Sequence, residues 1–301
     1  MLKGPDAHSD RFLQDLSVIN QRIDKATREV SSGRRINAPS DAPDEISHLL
    51  SLRSTLSATE QSKTNFVRIR AEVDTAEQAL GNAIEVLDRI QVLGANGASD
   101  LIDGTTRKTL AAEVEQLSGQ LVRVANTEIS GRFVFAGDTD QALPYTFDPT
   151  QSSPVSAYGG ATSTRQAAHP SGGRFPIAKA ADTIFAAPDA ADNVFDSVTA
   201  LRNALQSNDA AGIRLAVANV RSASKYLNSQ QAFYGGVQNQ VAEASDIAEK
   251  QIVRLKTGIS AVEDADITAS ILDLNTATQT REAAFTAEGR RPQNSLFNYL
   301  R

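Results

Sequence analysis

The sequence predicts a mainly α protein, an elongated antiparallel helical bundle or coiled coil formed by N- and C-terminal arms, with a small β-rich insert between them. Three observations carry this. Proline removes a donor and clashes with the preceding turn of a helix, and here it is confined: six of the ten prolines lie between Pro144 and Pro188, with none from Asp44 to Leu143 or from Asp189 to Arg291. The two proline-free arms carry apolar residues at alternating steps of three and four, the seam of paired helices. Aromatic residues make up only 5% of the chain, and cysteine and tryptophan are absent. That is thin material for a compact interior, and it suits packed helices better.

In chain order, Phe12, Leu16, Ile19, Ile23, Ala26 and Val30 follow one another at steps of 4, 3, 4, 3 and 4, so the first helix presents a heptad seam. It stops at Ser31-Ser-Gly-Arg-Arg-Ile-Asn-Ala-Pro-Ser-Asp-Ala-Pro43. The glycine, prolines and cap-forming side chains there predict an ordered connector, with Asp41 as N-cap of the next helix and Pro43 in its first turn. The seam resumes at Phe66, Ile69, Val73, Ala76, Leu80, Ala83, Leu87 and Ile90. One helix from about Pro43 to Leu93 follows, spanning roughly 75 Å at the helical rise. Gly94-Ala-Asn-Gly97 and Asp103-Gly104 predict a turn, after which Leu110, Val114, Leu117, Leu121 and Val124 form an antiparallel third helix ending near Gly131.

Arg132–Gly137, Tyr145-Thr-Phe147 and Arg174–Ile177 read as short strands among turn residues. The helical pattern returns at Val194, continues through Ile213, Val217, Val220, Leu227, Val237 and Val241, and reaches Leu255, Ile259, Val262, Ile271 and Leu274. The expected divisions are an N-terminal assembly helix and connector (1–42), an N-terminal bundle arm (43–137), a β-rich tip (138–190), a C-terminal bundle arm (191–262) and a C-terminal assembly helix (263–301). A seam at the very end of a chain frays unless burial offsets its ordering entropy. The two ends are therefore expected to pair with each other and with neighbouring subunits.

Several function classes are excluded. With 30 Lys+Arg against 36 Asp+Glu and no long block of either sign, nucleic acid is not an expected partner. No stretch approaches the length of a membrane helix, and residues 1–10 lack the apolar core of a signal peptide, which taken alone suggests a cytosolic protein. His8, His48 and His169 have no ligand spacing. Glu263, Asp264 and Asp266 read as a solvated helix face or a cap, and Arg34 and Arg35 as charges near helix C-terminal carbonyls. With no phosphate loop and no nucleophile motif, the chain is not expected to be an enzyme or to hold a cofactor or metal.

Four segments in order carry a resemblance. They are Glu29-Val-Ser-Ser-Gly-Arg-Arg-Ile-Asn-Ala-Pro-Ser-Asp-Ala-Pro43; Gln91-Val-Leu-Gly-Ala-Asn-Gly-Ala-Ser99; Ala125-Asn-Thr-Glu-Ile-Ser-Gly-Arg-Phe-Val-Phe-Ala-Gly137; and Val262-Glu-Asp-Ala-Asp-Ile267 with the ending Ser295-Leu-Phe-Asn-Tyr-Leu300. Together they resemble the bacterial flagellin family, the flagellins and their hook–filament junction homologues. The third is closer to the Gly-Arg-aromatic-x-Phe-Ala-Gly signature of the junction branch, hook-associated protein 3, than to the flagellin segment. The matched motif residues are Ser32, Gly33, Arg34, Ile36, Asn37, Pro39, Ser40 and Asp41; Gly131, Arg132, Phe133, Phe135 and Gly137; and Glu263, Asp264 and Asp266. Departures are Gly4-Pro5 in the opening and Pro292, which would break or kink the terminal helix.

The resemblance implies a structural component of the bacterial flagellum that joins the hook, through hook-associated protein 1, to the flagellin filament. It implies self-association in a junction ring, with an assembly interface at Phe12, Leu16, Ile19, Ile23, Ala26, Val30, Ile271, Leu274, Phe285, Leu296, Phe297 and Leu300. It also implies type III export without a cleaved signal peptide, with the export machinery and a chaperone as partners, and an extracellular location that overrides the cytosolic reading. The alternatives are a flagellin filament subunit and, from another class, a cytosolic coiled-coil scaffold or binding module.

Overall fold

The computed structural model of the chain describes residues 7–189 and 191–290. It is mainly α, with seven helices and two small antiparallel sheets among the described residues. The helices are α1 (Ala7–Ser32), α2 (Pro43–Gly97), α3 (Gly104–Ala125), α4 (Ala181–Phe185), α5 (Val194–Gln206), α6 (Ala210–Glu263) and α7 (Ile267–Gly289). The strands are β1 (Glu128–Ile129), β2 (Arg132–Phe133), β3 (Gln166–Ala168) and β4 (Arg174–Pro176). The chain divides into two compact units, residues 1–59 with 251–301 and residues 60–250.

The larger unit holds the main core. Within it α2 and α6 run antiparallel, as three side-chain contacts show: Lys63 pairs with Glu249 at 3.2 Å, and Gln238 and Gln231 donate to Asp74 and Glu77 at 2.9 and 2.7 Å. Of the seam expected of α2, Phe66, Val73, Ala76, Leu80, Ala83, Leu87 and Ile90 are buried and Ile69 is half-buried. They pack with Leu121 of α3, Leu201 and Leu205 of α5, and Ile213, Val220 and Leu227 of α6. The β-rich stretch closes one side through Phe135, Tyr145, Phe175 and Phe185.

Three expectations are corrected here. The helix α2 does not stop at Gly94 but runs through Gly97, and the turn follows at residues 98–103, closed by Asp103, whose side chain accepts from the Thr106 N–H at 2.9 Å. Both glycines serve packing instead. A Cβ on Gly94 would lie 2.6 Å from Val217 Cγ2, and one on Gly97 2.4 Å from Leu205 Cδ2. Second, α3 ends at Ala125, before Gly131, because a tight hairpin intervenes: Ser130 (φ 52°) and Gly131 (φ 77°) join β1 to β2, both left-handed as a two-residue hairpin of this kind requires. Third, the insert is less stranded than expected, since Phe147 makes only an isolated bridge to Val155 and residues 181–185 form the helical turn α4.

The glycines of α2 and α6 give a prediction of opposite signs. Gly94→Ala should destabilise the protein by about 1–3 kcal/mol through overpacking. Gly236→Ala in α6, where an added Cβ meets nothing within 4 Å, should stabilise it by about 0.5–1 kcal/mol through lower unfolded-state entropy. Urea unfolding midpoints of the two variants check both signs.

Candidate assembly interface

The smaller unit brings the first and last described helices together. The helices α1 and α7 lie antiparallel: Phe12 meets Phe285 edge to face at 6.1 Å, Arg22 pairs with Asp273, and Ser270 donates to Glu29 at 2.8 Å. On α1 the pattern is as the sequence spells it. Ala26 is buried, and Phe12, Leu16, Ile19, Ile23 and Val30 are half-buried, while most residues between them are exposed.

On α7 the pattern differs. Its covered row is Ser270, Leu274, Ala277, Arg281, Ala284 and Glu288, again at heptad steps but built mostly of small or polar residues. Of the three expected interface residues on this helix, Leu274 lies in the row, whereas Ile271 is 44% exposed and Phe285, despite touching Phe12, is 52% exposed. Leu272 is 67% exposed, and on α1 Leu13 and Val18 are 60% and 57% exposed. The pair thus sets the apolar row of α1 against a small, largely polar row of α7 and leaves other large apolar side chains outside. The only buried apolar residues described in this unit are Ala26, Ile36, Leu49, Ile252 and Ala277. Leu296, Phe297, Leu300 and the break expected at Pro292 lie outside the described residues.

The connector is ordered, as its composition predicts, and its order comes from two sources. Locally, Gly33 (φ 72°) ends α1 in the left-handed conformation, its N–H bonding Glu29 O at 2.9 Å, the usual helix-ending role of glycine. Ser32 Oγ donates to Arg28 O at 2.7 Å and accepts from Arg34 N–H at 3.1 Å, and Asn37 Nδ2 donates to Arg34 O at 2.7 Å. Pro39, Ser40 and Asp41 form a short 3₁₀ turn. Asp41 does not cap α2, which begins at Pro43. Its carboxylate reaches back and accepts from Ala38 and Asn37 N–H at 2.7 and 2.9 Å, and these donors hold it below the usual aspartate range.

The second source is Glu263, at the end of α6, which corrects the expected solvated face. It is 3% exposed. Its carboxylate sits between Arg34 Nε at 2.8 Å and Arg53 at 2.6 Å, the first an ion contact without an aligned hydrogen bond. Its backbone carbonyl accepts from Arg35 N–H at 2.7 Å and Ile36 N–H at 3.4 Å. Arg34 and Asp264 pair as a β-bridge, Ala265 N–H donates to Gly33 O at 3.0 Å, and Asp266 caps α7 through Ala269 N–H at 3.0 Å. Arg35 reaches Glu45 and Val262 O, so neither arginine serves the end of α1. Ile36 is buried against this corner, and Arg53, a member of the cluster, has no local sequence signal. Glu263→Gln keeps the shape but removes the charge, and should cost about 1–2 kcal/mol, since both arginines remain partly solvated. Faster exchange of the Arg35 and Ile36 amides is the readout.

The remaining motif lies in the larger unit. Phe135 is fully buried, edge to face with Phe185 and Tyr234, and its carbonyl accepts from Tyr158 OH at 2.9 Å and Ala181 N–H at 2.8 Å. Phe133 N–H bonds Asp140 O at 2.8 Å, and Arg132 approaches the Asp140 carboxylate at 3.5 Å. Gly137 (φ 66°) lies where the chain crosses itself: a Cβ there would be 2.0 Å from Ala161 O. This signature is therefore a folding element of the insert.

Comparison with known proteins agrees with the helical plan. The family model described as the bacterial flagellin N-terminal helical region matches residues 8–140, and that of the C-terminal helical region matches residues 217–300. Flagellin of Clostridium tyrobutyricum is 29% identical over 127 residues, 42% of this chain and 34% of that protein, and flagellin B of Helicobacter pylori is 28% identical over 119 residues, 39% and 23%. The match thus spans about a third or less of these relatives' length. Among solved structures, a putative flagellar hook-associated protein from Vibrio parahaemolyticus superposes with a TM-score of 0.66 at 17% identity, covering 74% of this chain and 100% of that one. Flagellar hook-associated protein 3 from Legionella pneumophila gives 0.62 at 15% identity, covering 70% and 98%. These two share the fold, and the matches to both helical regions, well over half of the chain, place it by sequence: it belongs to the bacterial flagellin family.

Proposed function

We propose that this chain is a structural, non-catalytic subunit of the flagellum that joins the hook, through hook-associated protein 1, to the flagellin filament. The observation that carries the reading is the pair α1–α7, in which the apolar row of α1 meets a small, largely polar row of α7 while Leu13, Val18, Ile271, Leu272 and Phe285 stay exposed. A pair of that kind buries too little apolar surface to offset its own ordering and is completed by docking on neighbours. The likeness to solved hook-associated proteins and the Gly131–Gly137 signature support the junction role over that of a filament subunit.

On this reading residues 1–42 and 263–301 are the assembly segments, 43–137 and 191–262 the bundle arms, and 138–190 the tip. Phe12, Leu16, Ile19, Ile23, Ala26 and Val30 hold the pair together, and Ile271 and Phe285, with Leu296, Phe297 and Leu300, meet other subunits in a junction ring. Type III export, aided by a chaperone, delivers the chain to the extracellular flagellum. Among the described residues no helix is long and apolar enough to cross a membrane.

Electron microscopy of flagella from a deletion strain tests this: intact hooks with detached filaments are expected, and normal filaments on the hooks would overturn it. The double variant Leu16→Asp, Ile23→Asp buries carboxylates without partners in the α1 seam. It should abolish incorporation into flagella while the larger unit keeps its circular-dichroism melting transition.

A further inference from the structure

A cleft of about 390 Å³ in the larger unit runs between α2 and β3. Phe66 and Ile69 of α2 and Ile177 are its apolar lining, and Arg68 and Arg132 line it as well. Residues 165–168, on and just before β3, line it, and from the β4 side only Ile177, just after that strand, does. The cleft therefore follows β3.

The edge of β3 away from β4 is unpaired. In the β3–β4 hairpin, Ile177 N–H bonds Arg165 O at 3.2 Å and His169 N–H bonds Gly173 O at 3.1 Å. Hydrogen-bonded pairs alternate along an antiparallel ladder, so Ala167 opposite Phe175 is the bonded pair between them. Gln166 and Ala168, opposite Pro176 and Arg174, direct their N–H and C=O groups away from β4. Proline at 176 fits this phase, since a non-bonded position needs no donor. Among the described residues these outward groups have no backbone partner.

The charge beside the edge is positive. Glu72 is buried but already neutralised by Arg165, which holds it through two hydrogen bonds. Arg132 reaches Asp140 only at 3.5 Å, and Arg68 is exposed with no carboxylate partner among the described residues.

We propose that this edge is a docking site for an extended, alternating acidic and aliphatic segment of a partner protein, added as a third strand beside β3. Alternate side chains of an extended segment point to opposite sides, so the aliphatic set takes the side lined by the half-buried Ile69 and the carboxylates the side open to Arg68 and Arg132. Main-chain bonds to Gln166 and Ala168 supply the affinity and the arginines the charge preference, as in other strand additions.

The probe is a blocked pentapeptide of alternating valine and glutamate, compared with its valine–lysine counterpart, titrated into the whole isotope-labelled protein. Saturable shifts of the Gln166 and Ala168 amide signals are expected with the glutamate peptide and none with the lysine peptide. Ala168→Pro removes only an outward donor and should weaken binding about tenfold; the surface double variant Arg68→Glu, Arg132→Glu should abolish it. Should Ala168→Pro not fold, the double variant decides. Absence of binding, equal binding of the two peptides, or unchanged affinity in the folded variants would overturn the proposal.

Discussion

Gly137→Ala should destabilise the larger unit by about 4 kcal/mol, the sum of a left-handed backbone forced on an L-residue and a clash that no rotamer relieves. The obstacle is main chain: the new Cβ would sit 2.0 Å from Ala161 O and 2.7 Å from Ser163 O. Those carbonyls belong to a crossing fixed by two further bonds, Ala161 N–H to Ala136 O at 2.9 Å and Asp138 N–H to Ser163 O at 3.0 Å. Moving residues 161–163 aside breaks both, and it loosens the chain beside Phe135, whose carbonyl anchors Tyr158 and α4. Equilibrium urea unfolding measures the loss; a midpoint equal to that of the parent protein would show that the crossing does not contribute to the fold.

The second large effect is expected at Arg107, which is buried and bonds neutral oxygens in place of a carboxylate. Its guanidinium donates to Gly97 O at 2.8 Å, to Ser99 O at 2.9 Å and to Asn208 Oδ1. The first is a carbonyl at the C-terminal end of α2, where the helix dipole favours a cation, and the second lies in the turn just after it. The third side chain belongs to a residue held left-handed (φ 58°) in the turn from α5 to α6. One side chain thus joins two chain reversals, α2 to α3 and α5 to α6. Arg107→Leu leaves those acceptors unpaired and should cost about 3–4 kcal/mol, whereas Arg107→Lys keeps the charge, lacks the fork and should recover only part of it. Thermal melting of both variants gives the order; equal stability of the leucine variant and the parent would contradict it.

Much of the fold is legible in the amino-acid sequence. The heptad row from Phe12 to Val30 and the seam from Phe66 to Ile90 are buried or half-buried where the periodicity places them, because a helix with one apolar stripe has one way to bury it. The partner row on α7 is not legible, since Ser270, Ala277, Arg281 and Glu288 keep the period but not the polarity that a hydrophobic count detects. Gly94 and Gly97 mislead because glycine marks both a broken helix and a close approach of two helices, and sequence does not say which. Asp41 satisfies its own turn in place of the next helix, a choice the local pattern leaves open. Glu263 is buried only because Arg34 and Arg53 arrive from the other end of the chain, and no window of sequence contains all three.

The opposed exposures on α1 and α7 imply that dissolved electrolyte should act on the terminal helices in two directions at once. Added salt weakens contacts such as Arg22 with Asp273 by screening, while strongly hydrated anions such as sulfate strengthen the tendency of Ile271, Leu272 and Phe285 to leave water. Ammonium sulfate would thus weaken the ionic contacts between the two helices while promoting their attachment to other molecules, and by the same exclusion from apolar surface it would reinforce the interior around Phe135 and Leu201.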